Sequence, residues 1–215
     1  MGARRDARLR LPLKASVLEM SAISTLIERW SSWYPKVPPV GFLLREAYAD
    51  RWMRIHSLPD LRRHPISRLD QEELLRRHNT VAGDLLGENQ ACALLLCGEP
   101  AAQSTTELAA RIGVPDRDMH DLGLLPSWLW EDDSGFFTGP VGLFGAVVTW
   151  RRGAFVSFIG AAANDEIRGL ALGNATGQVY APYDGGADLF FPAVANRTEA
   201  TRRYAAWLST RPDGL

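Results

Sequence analysis

The sequence predicts an α+β domain in which helices pack on a mixed, largely antiparallel sheet. Three observations lead to this class. Capped patterns with helical spacing fill much of the first half of the chain. A short and wholly apolar run at residues 91–97 is typical of a strand that is covered on both faces. Dense β-forming runs separated by turns dominate the second half, so helices and strands are largely segregated along the chain.

Size and composition are those of a globular, water-soluble domain. The 215 residues are 46% hydrophobic and 23% charged, close to the usual values for such domains. We expect a single domain over residues 16–215 and a basic N-terminal tail at residues 1–15. No apolar run approaches the roughly 20 residues of a transmembrane helix, and two cysteines do not make a disulfide framework. The chain is therefore predicted to be cytoplasmic, without a membrane association.

The first part of the domain is predicted to hold a helix and two strands. Ser16 and Glu19 form a capping box, and apolar residues at helical spacing continue to about Trp33. After a proline-rich stretch, residues 40–44 form an apolar run that is typical of a strand. Residues 52–58 alternate between two faces, as a half-buried strand does.

Two helices are predicted around the apolar strand at residues 91–97, which we expect to be central. Asp70 and Glu73 repeat the capping pattern, and Gly87 suits the end of the helix that follows them. Residues 104–112 have the pattern of a short helix with an acidic first turn.

The second half is predicted to be mainly antiparallel sheet after a long loop at residues 113–133. Residues 141–150 and 154–161 are separated by three residues, which predicts a hairpin. Residues 164–172 suggest a helical turn. The closing unit is expected to contain a strand, a turn, a strand and a helix, at residues 178–181, 182–186, 187–191 and 198–209.

Four stretches of the sequence resemble a family of uncharacterised bacterial proteins. They are RWMRIHSLPD at 51–60, LLRRHNTV at 74–81, VYAPYDGGAD at 179–188 and WLSTRPDGL at 207–215. The likeness extends from about Pro39 to Leu215 and leaves out the 100–135 loop. The resemblance implies a bacterial cytoplasmic origin and brings no established activity, so function has to be argued from the residues.

An acidic, aromatic stretch of the predicted loop is the first candidate surface. Residues 71–150 carry 12 acidic and 4 basic side chains, whereas residues 1–70 carry 7 acidic and 13 basic ones. The candidate residues are Trp128, Trp130, Glu131, Asp132 and Asp133. Aromatic area beside concentrated negative charge suits a basic protein partner. The alternative is ordinary packing of both indoles under a solvated loop.

Residues near the closing turn form the second group of candidates. Tyr183 at the tip is a possible partner contact, as loop aromatics often are. Arg54 and His56 share a strand face and can bind a phosphate or carboxylate, while Asp184 and Asp188 flank two glycines where a base or cation would fit. The alternatives are ion pairs of Arg54 and His56 with acids of the middle segment, and turn-forming roles for both aspartates.

Other motifs favour structural roles. The run from His78 to Val81 matches the His-x-Thr-hydrophobic element of two-histidine phosphoesterases, but the second copy is missing, and the helical pattern predicts a surface histidine. Cys92 and Cys97 should point to opposite faces of a strand and be buried as apolar residues. There is no cysteine and histidine cluster, P-loop or nucleophile elbow. We expect no metal and no cofactor.

These features favour a binding or interaction protein over an enzyme, such as an immunity-type inhibitor that masks a partner. The alternative is a small enzyme or ligand-binding protein that acts on phosphate- or carboxylate-bearing compounds through Arg54 and His56. Nucleic acid is disfavoured as a partner, because the net charge is −1 and no nucleic-acid module is present. The oligomeric state does not follow from these patterns.

Overall fold

The computed structural model describes residues 25, 28–99, 104–127, 139–173 and 175–209. The strands formed by these residues are β1 (Trp52–His56), β2 (Ala91–Gly98), β3 (His120–Leu124), β4 (Gly142–Thr149), β5 (Arg168–Gly173), β6 (Val179–Tyr183) and β7 (Gly186–Phe190). Residues 28–33 are helical, and the α-helices that follow them are α1 (Gly41–Ala47), α2 (Arg68–Leu86), α3 (Thr105–Ile112), α4 (Val156–Ala163) and α5 (Val194–Arg203). Short 3-10 turns lie at Ala49–Arg51, Pro59–Leu61, Asp116–Asp118 and Ala205–Trp207.

The seven described strands form one sheet in the order β1-β7-β6-β5-β2-β4-β3, and each neighbouring pair is antiparallel. The predicted α+β class is confirmed. The apolar run at 91–97 is an interior strand between β4 and β5, as its composition predicted. Cys92 and Cys97 are buried in different core clusters, on opposite faces of β2, as predicted.

Helices cover both faces of the sheet. Leu94 and Leu96 of β2 belong to the core cluster that α2, α3, α4 and α5 cover. Leu95, which points to the other face, belongs to a second cluster with Leu44 of α1 and with Trp30 from the helical residues 28–33. The sheet therefore has two buried faces, and its polar groups can reach the surface only near its edges and strand ends.

Strand β1 lies at one edge of the sheet, and arginines cover two of its outer carbonyl groups. The Nε atom of Arg197 donates to the carbonyl oxygen of Trp52 at 3.2 Å, and Nη1 of Arg77 donates to that of His56 at 3.0 Å. An uncovered edge strand offers such groups to another chain. The two guanidinium groups occupy them at both ends of β1.

The β6–β7 hairpin closes through Asp184 and Gly185 alone, because Tyr183 pairs with Gly186 across the strands. Gly185 has a φ of 100°, a backbone conformation that glycine adopts without steric cost. The predicted strand, turn and strand are confirmed, with a tighter turn than the sequence indicated.

The ends of two helices follow from side-chain capping. The Oγ atom of Ser67 accepts a hydrogen bond from the backbone nitrogen of Asp70 at 3.1 Å, so Ser67 caps α2 and Asp70 lies in its first turn. The cap was predicted three residues too late. Ser104 and Glu107 make a reciprocal capping box at the start of α3, which confirms the helix predicted at 104–112.

Two predicted strands are helices. Residues 41–44 belong to α1, which buries Leu44 against the second face. Most of residues 154–161 belong to α4, which buries Phe158 and Ile159 against the first face. Short apolar runs do not distinguish a buried strand from a buried helix. The predicted hairpin between 141–150 and 154–161 is consequently wrong, and β4 pairs with β2 and β3 instead.

Two segments that were predicted to be a helical turn and a loop contain strands. β5 occupies part of the predicted helical turn at 164–172, and β3 lies within the predicted loop at 113–133. β3 contains Asp121 and Gly123, which are poor strand formers, and it is an edge strand with a register shift. The terminal helix begins at Val194, four residues before the predicted start. The basic tail at 1–15 and the start of the first helix lie outside the described residues.

Candidate functional site

Three of the four motif stretches, at 51–60, 74–81 and 179–188, come together near the ends of β1 and β6 and the start of β7. Trp52, Arg54 and His56 of β1 are half-buried on one face, and Met53 and Ile55 between them are buried on the other, as the alternation predicted. We use the name hairpin site for the side chains of Trp52, Arg54, His56, Tyr183 and Asp188. The antiparallel pairing places Arg54 opposite Asp188 and His56 opposite Gly186.

Asp188 is the buried centre of the hairpin site. Its Oδ1 atom accepts from Nε of Arg54 at 2.9 Å and from Nε1 of Trp52 at 3.0 Å, and its Oδ2 atom lies 3.5 Å from Nη2 of Arg54. The side chain of Asp188 is only 9% exposed. The sequence predicted an ion pair for Arg54, but with an acid of the middle segment, and a turn-forming role for Asp188. Strand pairing instead joins these two residues directly.

The guanidinium group of Arg54 lies between two aromatic rings. It is 5.6 Å from the ring centre of Trp52 and 4.8 Å from that of Tyr183, both within the range of a cation–π contact. Tyr183 also packs over Gly186, since a Cβ atom added to Gly186 would lie 2.8 Å from the phenol oxygen. Burial raises the pKa of Tyr183, and the nearby carboxylate of Asp188 raises it further. Tyr183 is thus a neutral, ordered part of the site.

Asp184 connects the hairpin turn to the segment that follows β1. One of its carboxylate oxygens lies 2.9 Å from Nη2 of Arg63. Asp184 and Asp188 therefore have separate arginine partners and do not converge on one ligand. In the described part of the chain no group of three or more histidine, cysteine or acidic side chains is arranged to hold a metal ion.

His56 lies beside the ion pair and has one unsatisfied nitrogen. Its Nε2 atom is buried and has no hydrogen-bond partner among the described residues. Burial lowers the pKa of His56, and the positive charges of Arg54 and Arg77 lower it further. The imidazole is therefore held in its neutral form, in which it can donate or accept a hydrogen bond.

A second polar group lies on the opposite face, directly after β1. Ser57, His78 and Tyr180 are fully buried. The Nε2 atom of His78 is 2.7 Å from Oγ of Ser57, and its Nδ1 atom is 2.6 Å from the phenol oxygen of Tyr180. The predicted surface position of His78 is wrong, because both ring nitrogens have partners in the core and the side chain can be buried without an unpaired polar atom.

The buried trio has the residue types of a hydrolase dyad but lacks access. Burial lowers the pKa of His78 to about 4 and raises the pKa of Tyr180 well above its usual value. A nucleophile must reach its substrate, and the side chain of Ser57 has no exposed surface. The trio therefore ties β1, α2 and β6 together as a structural network.

Comparison with known families gives a match across most of the chain. A family described as Domain of unknown function (DUF3885) matches residues 40–212. The chain belongs to the DUF3885 family. No curated protein and no solved structure matches it. The DUF3885 match includes both the hairpin site and the buried trio, so these groups lie within the family domain.

Several residues that form these two groups in the DUF3885 domain were not predicted from the sequence. Ser57, Tyr180 and Trp52 were not singled out, and Arg77 was not recognised as a residue that joins Glu73, at 2.6 Å, to the His56 carbonyl group. The sequence did contain a sign of these residues. In each of three quoted motifs, polar residues stand at positions where the surrounding pattern predicts apolar ones. The fold brings those motifs together from distant parts of the chain.

The remaining candidates of the DUF3885 domain lie elsewhere. The acidic residues and tryptophans predicted at 128–133 fall outside the described residues. Burial raises the pKa of Cys92 to about 12 and that of Cys97 to about 11, as expected for inert thiols.

A small cleft of about 190 Å³ lies at the other end of the β6–β7 hairpin, beside Asp84 and Tyr204. No helix among the described residues is long and apolar enough to cross a membrane.

Proposed function

We propose that the protein is a bacterial cytoplasmic protein-binding protein, of the kind that masks a partner as an immunity-type inhibitor does. The hairpin site forms part of the surface that contacts this partner. The observation that carries the proposal is the half-buried layer of Trp52, Arg54 and Tyr183, in which Asp188 accepts hydrogen bonds from Trp52 and Arg54.

Composition and rigidity both favour this role. Tryptophan, tyrosine and arginine are the residue types that contribute most often to the energetic centre of protein interfaces. Here the indole of Trp52 also lies 5.9 Å below the guanidinium group of Arg45, which extends the stack. Because the side chains are already held in place, binding would cost little conformational entropy.

The geometry favours partner binding over the capture of a small anion. An arginine that recognises a free phosphate or carboxylate uses its planar fork of donors. In this structure the fork of Arg54 faces Asp188, so a ligand would have to compete with a carboxylate of the protein itself. The unsatisfied nitrogen of His56 is the feature that supports the ligand-binding alternative, and that atom is buried.

A site-specific crosslinking experiment tests the proposal. A photoreactive amino acid would replace His64, which is exposed beside the hairpin turn, in the organism that encodes the chain. The matched control places it at Ala110, an exposed position on α3. We expect a discrete adduct from position 64, and we expect alanine at Tyr183 to weaken it. Equal or absent adducts at both positions would contradict the proposal.

A third position separates the two candidate surfaces. Leu124 is exposed on β3, at the opposite edge of the sheet and four residues before the predicted acidic stretch. A discrete adduct at position 124 without one at position 64 would assign partner binding to the region of residues 128–133, where a basic partner is predicted. The hairpin site would then be structural.

A further inference from the structure

One arginine beside the hairpin site has no acceptor for its hydrogen-bond donors. Arg45 lies in the last turn of α1 and is half-buried. Its guanidinium group makes no hydrogen bond and no ion pair with the described residues, and it lies 5.9 Å from the ring centre of Trp52. Because a guanidinium group carries five N–H donors, Arg45 keeps a complete donor set for a ligand.

Five other arginines next to β1 and the hairpin turn already have acceptors. Three of these arginines have carboxylate partners and two donate to backbone carbonyl groups: Arg54 to Asp188, Arg63 to Asp184, Arg77 to Glu73, Arg51 to the Pro192 carbonyl and Arg197 to the Trp52 carbonyl. Arg54, which the sequence singled out for an anion, is among them. Arg45 differs from all five, because the fold does not use its donors.

The positive charge of Arg45 has no counterion in contact with it. Glu46 and Asp50 are the acidic residues nearest to it in the sequence, and both are exposed. Neither forms an ion pair with Arg45 in the described part of the chain. The ion pairs of the hairpin site and of its turn are each neutral. An anion that binds beside the hairpin site would therefore find its complementary charge on Arg45.

Tyr183 supplies a second unused donor. Its phenol oxygen has no hydrogen-bond partner among the residues that the structure describes, and unlike Nε2 of His56 it is not fully buried. Burial and the charge of Asp188 raise the pKa of Tyr183, whereas the charges of Arg54 and Arg45 lower it, so both guanidinium groups lie near the phenol. The hydroxyl group keeps its proton at neutral pH and can donate to an anion.

The ring of Trp52 connects Arg45 to the rest of the hairpin site. The guanidinium groups of Arg45 and Arg54 lie 5.9 and 5.6 Å from its centre, and that of Arg54 lies 4.8 Å from the ring centre of Tyr183. Nε1 of Trp52 donates to Asp188 at 3.0 Å, which fixes the indole. The support of Arg45 is therefore ordered before a ligand arrives, and this lowers the entropic cost of binding.

We propose that Arg45 and the hydroxyl group of Tyr183 bind a carboxylate group of the partner protein. This inference rests on the proposed protein-binding function and names the chemical group that the partner brings to the hairpin site. A carboxylate accepts two parallel hydrogen bonds from one guanidinium group. Its single negative charge matches the one charge of Arg45, whereas a phosphate monoester carries about −1.5 to −2 and a nucleic acid needs several basic contacts.

A double-mutant cycle tests this contact without knowledge of the partner. Displayed random 12-residue peptides would be selected on the full chain, and binding of an enriched peptide would be measured by fluorescence anisotropy. We expect an aspartate or glutamate whose replacement by the amide weakens binding to the wild-type chain about tenfold or more. The same replacement should change binding to Arg45→Gln less than twofold, because the carboxylate has already lost its partner. Equal effects on both chains would overturn the inference.

Conservative variants separate this contact from a structural role of Arg45. Arg45→Lys keeps the charge without the planar fork, and Tyr183→Phe removes only the hydroxyl group, so each should weaken peptide binding about fivefold. Arg117→Gln alters an arginine that is 82% exposed elsewhere and should change binding less than twofold. Should Arg45→Gln fail to fold, Tyr183→Phe replaces it in the cycle, and a peptide carboxylate with the same effect on both chains overturns the inference.

The outcomes separate this inference from the proposed function. If the partner crosslinked at position 64 binds Arg45→Gln as tightly as wild type, the carboxylate contact is overturned and the binding function stands. If no partner crosslinks and no peptide is selected, both are overturned.

Two further probes test phosphate as the occupant. Inorganic phosphate and a 20-nucleotide DNA strand would each be titrated into the wild-type chain and into Arg45→Gln. Saturable binding of either probe that is lost in Arg45→Gln would assign Arg45 to a phosphate group and would overturn the inference. We expect no difference between the two chains with these probes.

Discussion

The Nε2 atom of His78 lies 2.7 Å from the Oγ atom of Ser57, and neither side chain has contact with solvent. Because Nδ1 of His78 is bonded to Tyr180, a neutral imidazole satisfies both neighbours, with one nitrogen donating and the other accepting. A charged imidazole would be buried without a carboxylate partner in this network. The relationship makes the stability of the fold sensitive to acid.

His78 should make the protein less stable as the pH falls from 6.5 to 4. Burial, and then the charge of Arg77, lower the pKa of His78 to about 4 in the folded state, so the unfolded chain binds the proton more tightly. The stabilisation is complete above pH 6.5 and is lost as the pH falls toward 4. Urea unfolding at pH 7.5 and 4 should show a loss of about 3 kcal/mol from this residue.

The control for this prediction is the exposed residue His64. In His64→Gln the stability should depend on pH as it does in the wild type. In His78→Gln the part of the pH dependence that comes from His78 should be absent, and the protein should be destabilised by about 1–3 kcal/mol at pH 7.5. An unchanged pH dependence in His78→Gln would show that His78 does not carry the effect.

Asp188→Ala should destabilise the protein by about 3 kcal/mol or more, because it leaves the largely buried Arg54 guanidinium group without its counterion. Trp52 Nε1 would also lose its acceptor. Denaturant unfolding measures the change. In the double variant Arg54→Met with Asp188→Leu we expect much of the loss to be recovered, since neither charge remains buried. Equal losses in the single and double variants would contradict this account.

Replacing a glycine with alanine should lower the stability of the protein in the hairpin and raise it in a helix. Gly186→Ala places its Cβ against the backbone carbonyl of Ile55 on β1, so we expect a loss of about 2–4 kcal/mol. Gly160→Ala lies in α4 with no atom near its Cβ and should gain about 0.5–1 kcal/mol. Thermal unfolding of both variants checks the signs, and a neutral Gly186→Ala would argue against the close β1–β7 approach.

Asp70→Asn should loosen the chain segment at residues 59–69 without unfolding the domain, because Asp70 bonds to Arg62 and to the backbone nitrogen of Ile66. The ion pair with Arg62 and the hydrogen bond from Ile66 hold the pKa of Asp70 at about 2, so the carboxylate stays charged throughout the neutral range. Limited trypsin digestion should cleave after Arg62 or Arg63 faster in Asp70→Asn than in wild type. Glu72→Gln, which alters an exposed pair on α2, should be cleaved at the wild-type rate.

Local patterns were sufficient for the elements whose signals lie close together in the sequence. The helix at 104–112 has its capping box within four residues, and the β6–β7 hairpin has its glycines at the turn. The helix at 156–163 was missed because an apolar run that is buried on several sides has no distinctive period.

The hairpin site was predicted only as separate residues. Arg54, His56, Tyr183 and Asp188 were all singled out, but the bond between Arg54 and Asp188 joins positions 134 residues apart. Such a pairing depends on the strand order, which local patterns do not define. The burial of His78 escaped prediction for the same reason, since its two partners lie 21 and 102 residues away.

The arginines that cover the outer carbonyl groups of Trp52 and His56 limit how another chain could bind at this edge of the sheet. A strand of another chain could bond to these two carbonyl groups only if the guanidinium groups moved away, so recognition of a partner at this edge would depend mainly on side chains. Side chains such as Ile66 and Arg63 can be exchanged without rebuilding the sheet. Under the proposed function, the choice of partner would therefore depend on exchangeable side chains and not on the backbone of β1.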